Sequence, residues 1–207
     1  MNLEKLTTAA ERFLKRYPGG FQHPEMAALG KKHKMDAMTL FSQANFSKEK
    51  FNASGTIIEN MVKLVSRASM ISVFEKPKFR DFANSLMAQD REIFAIGLEE
   101  RLYGNEQKGF EMLLEVLQAG KMAKWPLMTI CPVYCNPQKD VFVKPTTAKG
   151  VIEFFELHSL QYKPAPTWDF YKEYRAVINE MKAAVDPSLS PNNAAFTGFL
   201  MMSLESR

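Results

Sequence analysis

The run LEKLTTAAERFLKRYPGG, residues 3–20, sets the reading of the whole chain. Leu3, Leu6, Ala10, Phe13, Leu14 and Tyr17 return at helical spacing, and Pro18-Gly19-Gly20 cannot continue the turn, so one amphipathic helix followed by a stop is predicted. The same grammar repeats along the sequence. His23 before Pro24 reads as an N-cap with proline at the first helical position, opening a segment that turns Met26, Leu29, Met38 and Phe41 inward, with Gly30 as an interruption. Ile57, Ile58, Met61, Val62, Val65 and Ala68 form a third stripe. Pro77 opens a fourth with Phe79, Phe82, Ala83 and Leu86, and Asp90 caps a fifth with Ile93, Phe94, Gly97 and Leu98. Asn105 starts a sixth that Gly120 ends.

From residue 121 the grammar changes. WPLMTICPVYCNPQKDVFVKP, residues 125–145, carries four prolines among β-branched and aromatic residues, which argues against a long helix in the Pro-rich, partly non-helical segment 121–146. Asp140 to Lys144 is the best strand candidate, Leu127 to Cys131 reads as a strand or a short helix ended before Pro132, and Leu160 to Lys163 as a second short strand. Thr146 or Thr147 is expected to cap a helix burying Val151, Ile152 and Phe155. Thr167 caps a long one with Phe170, Tyr171, Tyr174, Val177, Ile178, Met181 and Val185 inside, ended by Pro187. Ser190-Pro191 opens the last, with Phe196, Phe199 and Leu200. The class is mainly α. We expect one compact multi-helix domain over residues 1–207, with about eight or nine helices and at most a small β element around residues 125–165.

Composition agrees with a globular chain: 207 residues, 46% hydrophobic and 24% charged, are enough to bury a sizeable core without staples. Cys131 and Cys135 cannot make a disulfide framework. The opening MNLEKLTTAAERF lacks the apolar core of a signal peptide, and the longest apolar stretches, Trp125 to Cys135 and Ala194 to Leu204, are too short to cross a bilayer. A reducing, cytoplasmic setting without a membrane partner is expected.

The net charge of +4 is unevenly spread. Residues 1–50 hold 9 Lys/Arg against 5 Asp/Glu and so carry the whole excess, while residues 88–120 are acidic, 3 against 7, and residues 121–149 basic, 5 against 1. Such segregation suits an anion-binding face, an interface between copies, or merely solvated surfaces.

The sharpest local feature is the passage through Lys144, Pro145, Thr146, Thr147 and Lys149, read as a strand feeding a helix start. Unpaired N–H groups there, two hydroxyls and two lysines are the ingredients of an anion site, although the spacing is neither that of a P-loop nor of a dinucleotide fingerprint. Lys31, Lys32, His33 and Lys34 form a secondary basic patch, with three of the four facing outward if the second helix is continuous. Cys131 and Cys135 stand four apart, with His23, His33 and His158 as the only histidines, a poor set for zinc, so packing without metal is expected. No catalytic set and no cofactor motif emerge. Trp168 stands apart from the core spacing of its aromatic neighbours.

Three functions therefore compete. The leading one is a non-catalytic binding or adaptor protein whose basic surface around Lys144 and Lys149, with Lys31 to Lys34 as an extension of it, contacts nucleic acid or another anionic partner. The second is an enzyme or sensor holding a small phosphorylated or carboxylated ligand at the Thr147 helix start. The third is a self-associating structural protein, a homo-oligomer joining its acidic and basic segments.

Overall fold

The computed structural model describes residues 1–205. Eleven α-helices run through them: α1 Leu3–Arg16, α2 Pro24–Lys32, α3 Met35–Asn45, α4 Ser54–Arg67, α5 Glu75–Ser85, α6 Ala88–Tyr103, α7 Glu106–Ala119, α8 Trp125–Cys135, α9 Pro145–Phe154, α10 Trp168–Ala183 and α11 Asn193–Glu205. No strand occurs among the described residues. The mainly α class is as the periodicity implies, and the buried apolar side chains form one cluster reaching from Leu6 to Leu200.

Several boundaries follow the caps. His23 accepts from the Glu25 amide with Pro24 at the start of α2, and Asn105 accepts from Lys108 at the start of α7. The last helix begins two residues beyond the expected Ser190-Pro191 start, because the Asn192 side chain takes the Ala195 amide. Two differences raise the helix number. The second segment is broken: α2 ends at Lys32, and Lys34 adopts a left-handed conformation, φ 53°, before α3 begins. The other addition is α8.

Helix α8 takes the helical of the two readings of Leu127 to Cys131, but it does not end before Pro132 and runs on to Cys135. Pro126 lies in its first turn, where a missing N–H costs nothing, but Pro132 lies inside it. Nine of its eleven residues, Trp125 and Leu127 through Tyr134, are buried, so the helix has no polar face and no 3.6-residue alternation to detect. Beyond it, Val141, Phe142 and Val143 are extended and buried, yet they pair with no strand. Side chains serve their backbone instead: the Tyr171 hydroxyl accepts from the Val141 amide at 3.3 Å and Thr129 Oγ1 from the Val143 amide at 3.1 Å. Residues 160–163 likewise form no strand, and the Lys163 carbonyl accepts the Trp125 indole N–H at 2.8 Å.

Helices α6 and α7 form the most extensive helix pair, an antiparallel hairpin turned at Gly104-Asn105. Glycine permits their closeness: a Cβ on Gly109 would stand 2.2 Å from the Arg101 backbone nitrogen. That contact fixes Arg101 over the segment following α8.

Candidate functional site: a basic face around an apolar loop tip

The passage expected to bind anions is assembled differently from the sequence reading. Lys144 is the N-cap residue of α9 and supplies no side-chain cap, and Thr146 and Thr147 lie within the first turn, so neither threonine caps the helix. Thr147 is buried, and Lys144, Thr146 and Lys149 are exposed. The Lys149 ammonium rests over the Tyr162 ring, 5.1 Å from its centroid. The two lysines thus flank the helix start, but a hydroxyl crown over it is missing.

The acidic and basic segments on either side of residue 120 meet within the chain. Lys139 pairs with Glu106, and Glu106 also takes Arg175 at 2.6 Å. Deeper in lies Asp140, completely buried, whose Oδ1 accepts from Arg101 Nη2 at 2.5 Å, the Tyr171 hydroxyl at 2.8 Å and Arg175 Nη1 at 3.0 Å. Asn136 reaches its Oδ2 at 3.2 Å, and Asn193 of α11 donates to its backbone carbonyl at 3.0 Å. Burial pushes the Asp140 carboxyl up, but the two guanidinium groups and the hydrogen bonds outweigh it and hold the group below its ordinary range. Burial likewise pushes Tyr171 upward, reinforced by Asp140, so its hydroxyl stays a proton donor. Arg101 Nε and Nη1 have no hydrogen-bond acceptor; the guanidinium lies against the rings of Trp168 and Tyr171 instead, 5.7 and 5.0 Å from their centroids. This cluster ties α6, α7, α10 and α11 to the extended segment, and its role is to hold them in register.

The thiols of Cys131 and Cys135 face each other at 3.8 Å and are both free. Burial, then the hydrogen bond and charge of Cys135, push the Cys131 thiol well up, away from a reactive thiolate. Among the described residues no three His, Cys, Asp or Glu side chains gather to hold a metal.

The secondary basic patch is where exposed charge collects. Lys31, Lys32 and Lys34 are all exposed at the α2–α3 junction. His33 carries this junction onto the end of α4, its Nδ1 lying 2.9 Å from Ser69 Oγ. Arg67, in the last turn of α4, stacks over Phe41 with 5.2 Å to the centroid and adds a further cation. After Ser69 the chain dips to bury Ile71 and then exposes Ser72, Val73 and Phe74 in sequence. From the other side, Lys124 pairs with Glu75 at 3.1 Å. The contact brings the α7–α8 turn, with exposed Lys121, up to the same loop. Two basic stretches about 90 residues apart in sequence are therefore tied to the two ends of one loop, at Ser69 and at Glu75.

A separate groove of about 870 Å³ runs along α1 beside Phe154 and Met202. Lys5, Arg12 and Arg16 line it at helical spacing, with Phe13 and Tyr17 forming the apolar wall. Lys5 is engaged by Glu156 at 2.7 Å, and Arg16 lies over the Tyr17 ring. Its size is that of a small-molecule site.

Sequence reasoning found the lysines of both patches but missed the Val73-Phe74 tip, which reads as an unremarkable pair between two stripes. Comparison of the chain with family models, with curated proteins and with solved structures finds no match.

Proposed function

We propose that the protein is a non-catalytic binding protein whose basic face at the α2–α3 junction and the end of α4 contacts an anionic partner such as nucleic acid. The observation that carries this reading is the contact of His33 with Ser69, which sets Lys31, Lys32 and Lys34 beside Arg67 on exposed surface. Lysines so placed bind phosphates or carboxylates without needing a cleft, and such binding weakens as salt releases less free energy from displaced counterions. The test is retention on a heparin column and binding of single-stranded DNA and RNA across a salt series. Wild type should bind, with a steep salt dependence, and Lys31→Glu combined with Lys32→Glu should abolish binding while leaving the fold intact. Equal binding by that variant and by wild type would remove the face from consideration. A parallel Lys144→Ala, Lys149→Ala variant reports on the α9 start.

The α1 groove favours a second reading, a sensor or enzyme for a small phosphorylated or carboxylated ligand. Arg12 and Arg16 present two guanidinium groups in a concave setting, with Phe13 and Tyr17 as its wall. A phosphate-dependent rise in melting temperature that Arg12→Ala with Arg16→Ala removes would favour it.

A further inference from the structure

We infer that the anionic partner is a lipid bilayer, met by insertion of the Val73-Phe74 tip between acidic headgroups. The inference rests on the anionic-partner reading above and names the partner for it.

The tip itself is the first observation. Phe74 is 78% exposed and Val73 70%, and among the described residues no large apolar side chain is more exposed than Phe74. The other exposed large hydrophobics are scattered singly, as at Leu40 and Met87, whereas here two are adjacent. Their position is not slack: Ile71 is buried beneath them, the Phe74 amide donates to Ser72 Oγ at 3.3 Å, and the Glu75 amide donates to the Ser72 carbonyl at 3.0 Å as α5 begins. A held loop thus points two apolar side chains at solvent, an arrangement that costs hydration free energy unless something covers them.

The charge around the tip is the second observation. Lys31, Lys32, Lys34 and Arg67 lie on the side of Ser69, which is five residues from Phe74 and so within about 17 Å of it at full extension. Lys121 approaches from the other side, on the turn that the Lys124–Glu75 pair holds against the loop. Lys76 and Lys78 follow the tip on α5. An apolar centre with a lysine rim is complementary to a bilayer whose surface is negative and whose interior is hydrocarbon.

The backbone supplies the third. Among the described residues three non-glycine residues have positive φ, and two of them, Lys34 at 53° and Lys121 at 57°, lie in the turns that the His33–Ser69 and Lys124–Glu75 contacts tie to this loop. Each follows the C-cap of its helix, α2 or α7, the position glycine fills by default. At Lys121 the full motif is present, with the Met122 amide on the Leu117 carbonyl at 2.7 Å and the Lys121 amide on Gln118 at 3.0 Å. A lysine kept where glycine would be unstrained is accounted for if its charge is used.

Nucleic acid fits these details less well. Val73 offers nothing to a base stack, and residues this exposed project from the surface, whereas single strands lie in charged grooves. The rim is also mostly lysine, whose long apolar stem and terminal charge suit the headgroup level. Among the described residues no helix is long and apolar enough to cross a membrane. Surface association requires none, so the expectation of no membrane partner, drawn from spanning length, does not bear on it.

The test is co-flotation with vesicles of phosphatidylcholine alone and of equimolar phosphatidylcholine and phosphatidylserine, using wild type, Val73→Ser with Phe74→Ser, and Lys31→Glu with Lys32→Glu, each also assayed on heparin and single-stranded DNA. We expect wild type to bind the acidic vesicles only. The serine variant, altered solely at exposed side chains, should lose at least about tenfold in partitioning and keep its heparin retention. The glutamate variant should lose both. Wild type that binds heparin or DNA but not acidic vesicles overturns the lipid inference and leaves the anionic-partner reading standing. A serine variant that floats as wild type does overturns insertion. A wild type that binds none of these probes overturns both.

Discussion

Replacing Asp140 with Asn removes one charge from a site with no access to water, and the consequence can be worked from its partners. The carboxylate is 0% exposed and meets Arg101, Arg175, Tyr171 and Asn136. Arg175 retains Glu106 in the variant, but Arg101, 1% exposed and already with two donors unmatched, keeps only ring faces. Removing one partner of a buried pair costs about 3–5 kcal/mol, because the other charge stays buried without compensation. For a chain of this size that is a fall of roughly 6–20 °C in melting temperature. Urea unfolding followed by far-UV circular dichroism measures it, and a midpoint unchanged from wild type would refute the assignment of Asp140 as the centre of the fold's ionic cluster. The pH dependence has a definite sign. The carboxyl is held below its ordinary range in the native state, so its contribution is complete above the unfolded value of about 3.9 and is lost as pH falls through the native value. The stability gap between wild type and D140N should stay level from neutrality to about pH 5 and narrow in stronger acid; a gap that widens on acidification contradicts the cluster as described.

Gly109→Ala should destabilise by about 1–3 kcal/mol through overpacking, since its Cβ would meet the Arg101 backbone at 2.2 Å; calorimetry checks it, and a neutral result would mean that α6 and α7 are not so closely apposed. Lys121→Gly relieves a left-handed residue and should raise stability by up to about 1 kcal/mol while weakening binding to acidic vesicles, two readouts in opposite directions. In the native protein Cys131 should resist a thiol reagent at neutral pH that modifies it after unfolding, because it is buried and its thiol is pushed up; mass mapping of the labelled cysteine decides this.

How much of this was legible in the sequence depends on whether an element has two faces. Helices α1 and α4 each present one buried and one solvated side, and their stripes at Leu6, Phe13, Ile57 and Val65 are readable as such. Helix α8 is buried all round, so Met128, Cys131 and Val133 carry no period, and its prolines argue for the wrong class. The extended residues 141–143 carry strand-like side chains because they too are buried on all sides, but Tyr171 and Thr129 take the place of a neighbouring strand, and nothing local announces that. Lys34 breaks the second helix in a conformation that its residue type disfavours. For the site, local composition revealed lysines but not their meeting: the contacts His33–Ser69 and Lys124–Glu75 are long-range in sequence.

The two uses of charge in this chain explain each other. Several of the acidic side chains that would lower the surface potential are taken up internally, with Asp140 among two arginines and Glu106 shared between Arg175 and Lys139. The arginines, whose planar forks satisfy several acceptors at once, hold those buried and half-buried positions. The lysines of residues 31–34 and Lys121 are exposed with no acidic partner among the described residues, in turns tied to a loop whose tip is apolar. A net charge of +4 over the whole chain therefore understates the local field at that tip. Salt should accordingly weaken binding there far more than it affects unfolding, since surface charge is screened over roughly 10 Å at moderate ionic strength whereas the Asp140–Arg101 pair at the centre of the cluster is buried.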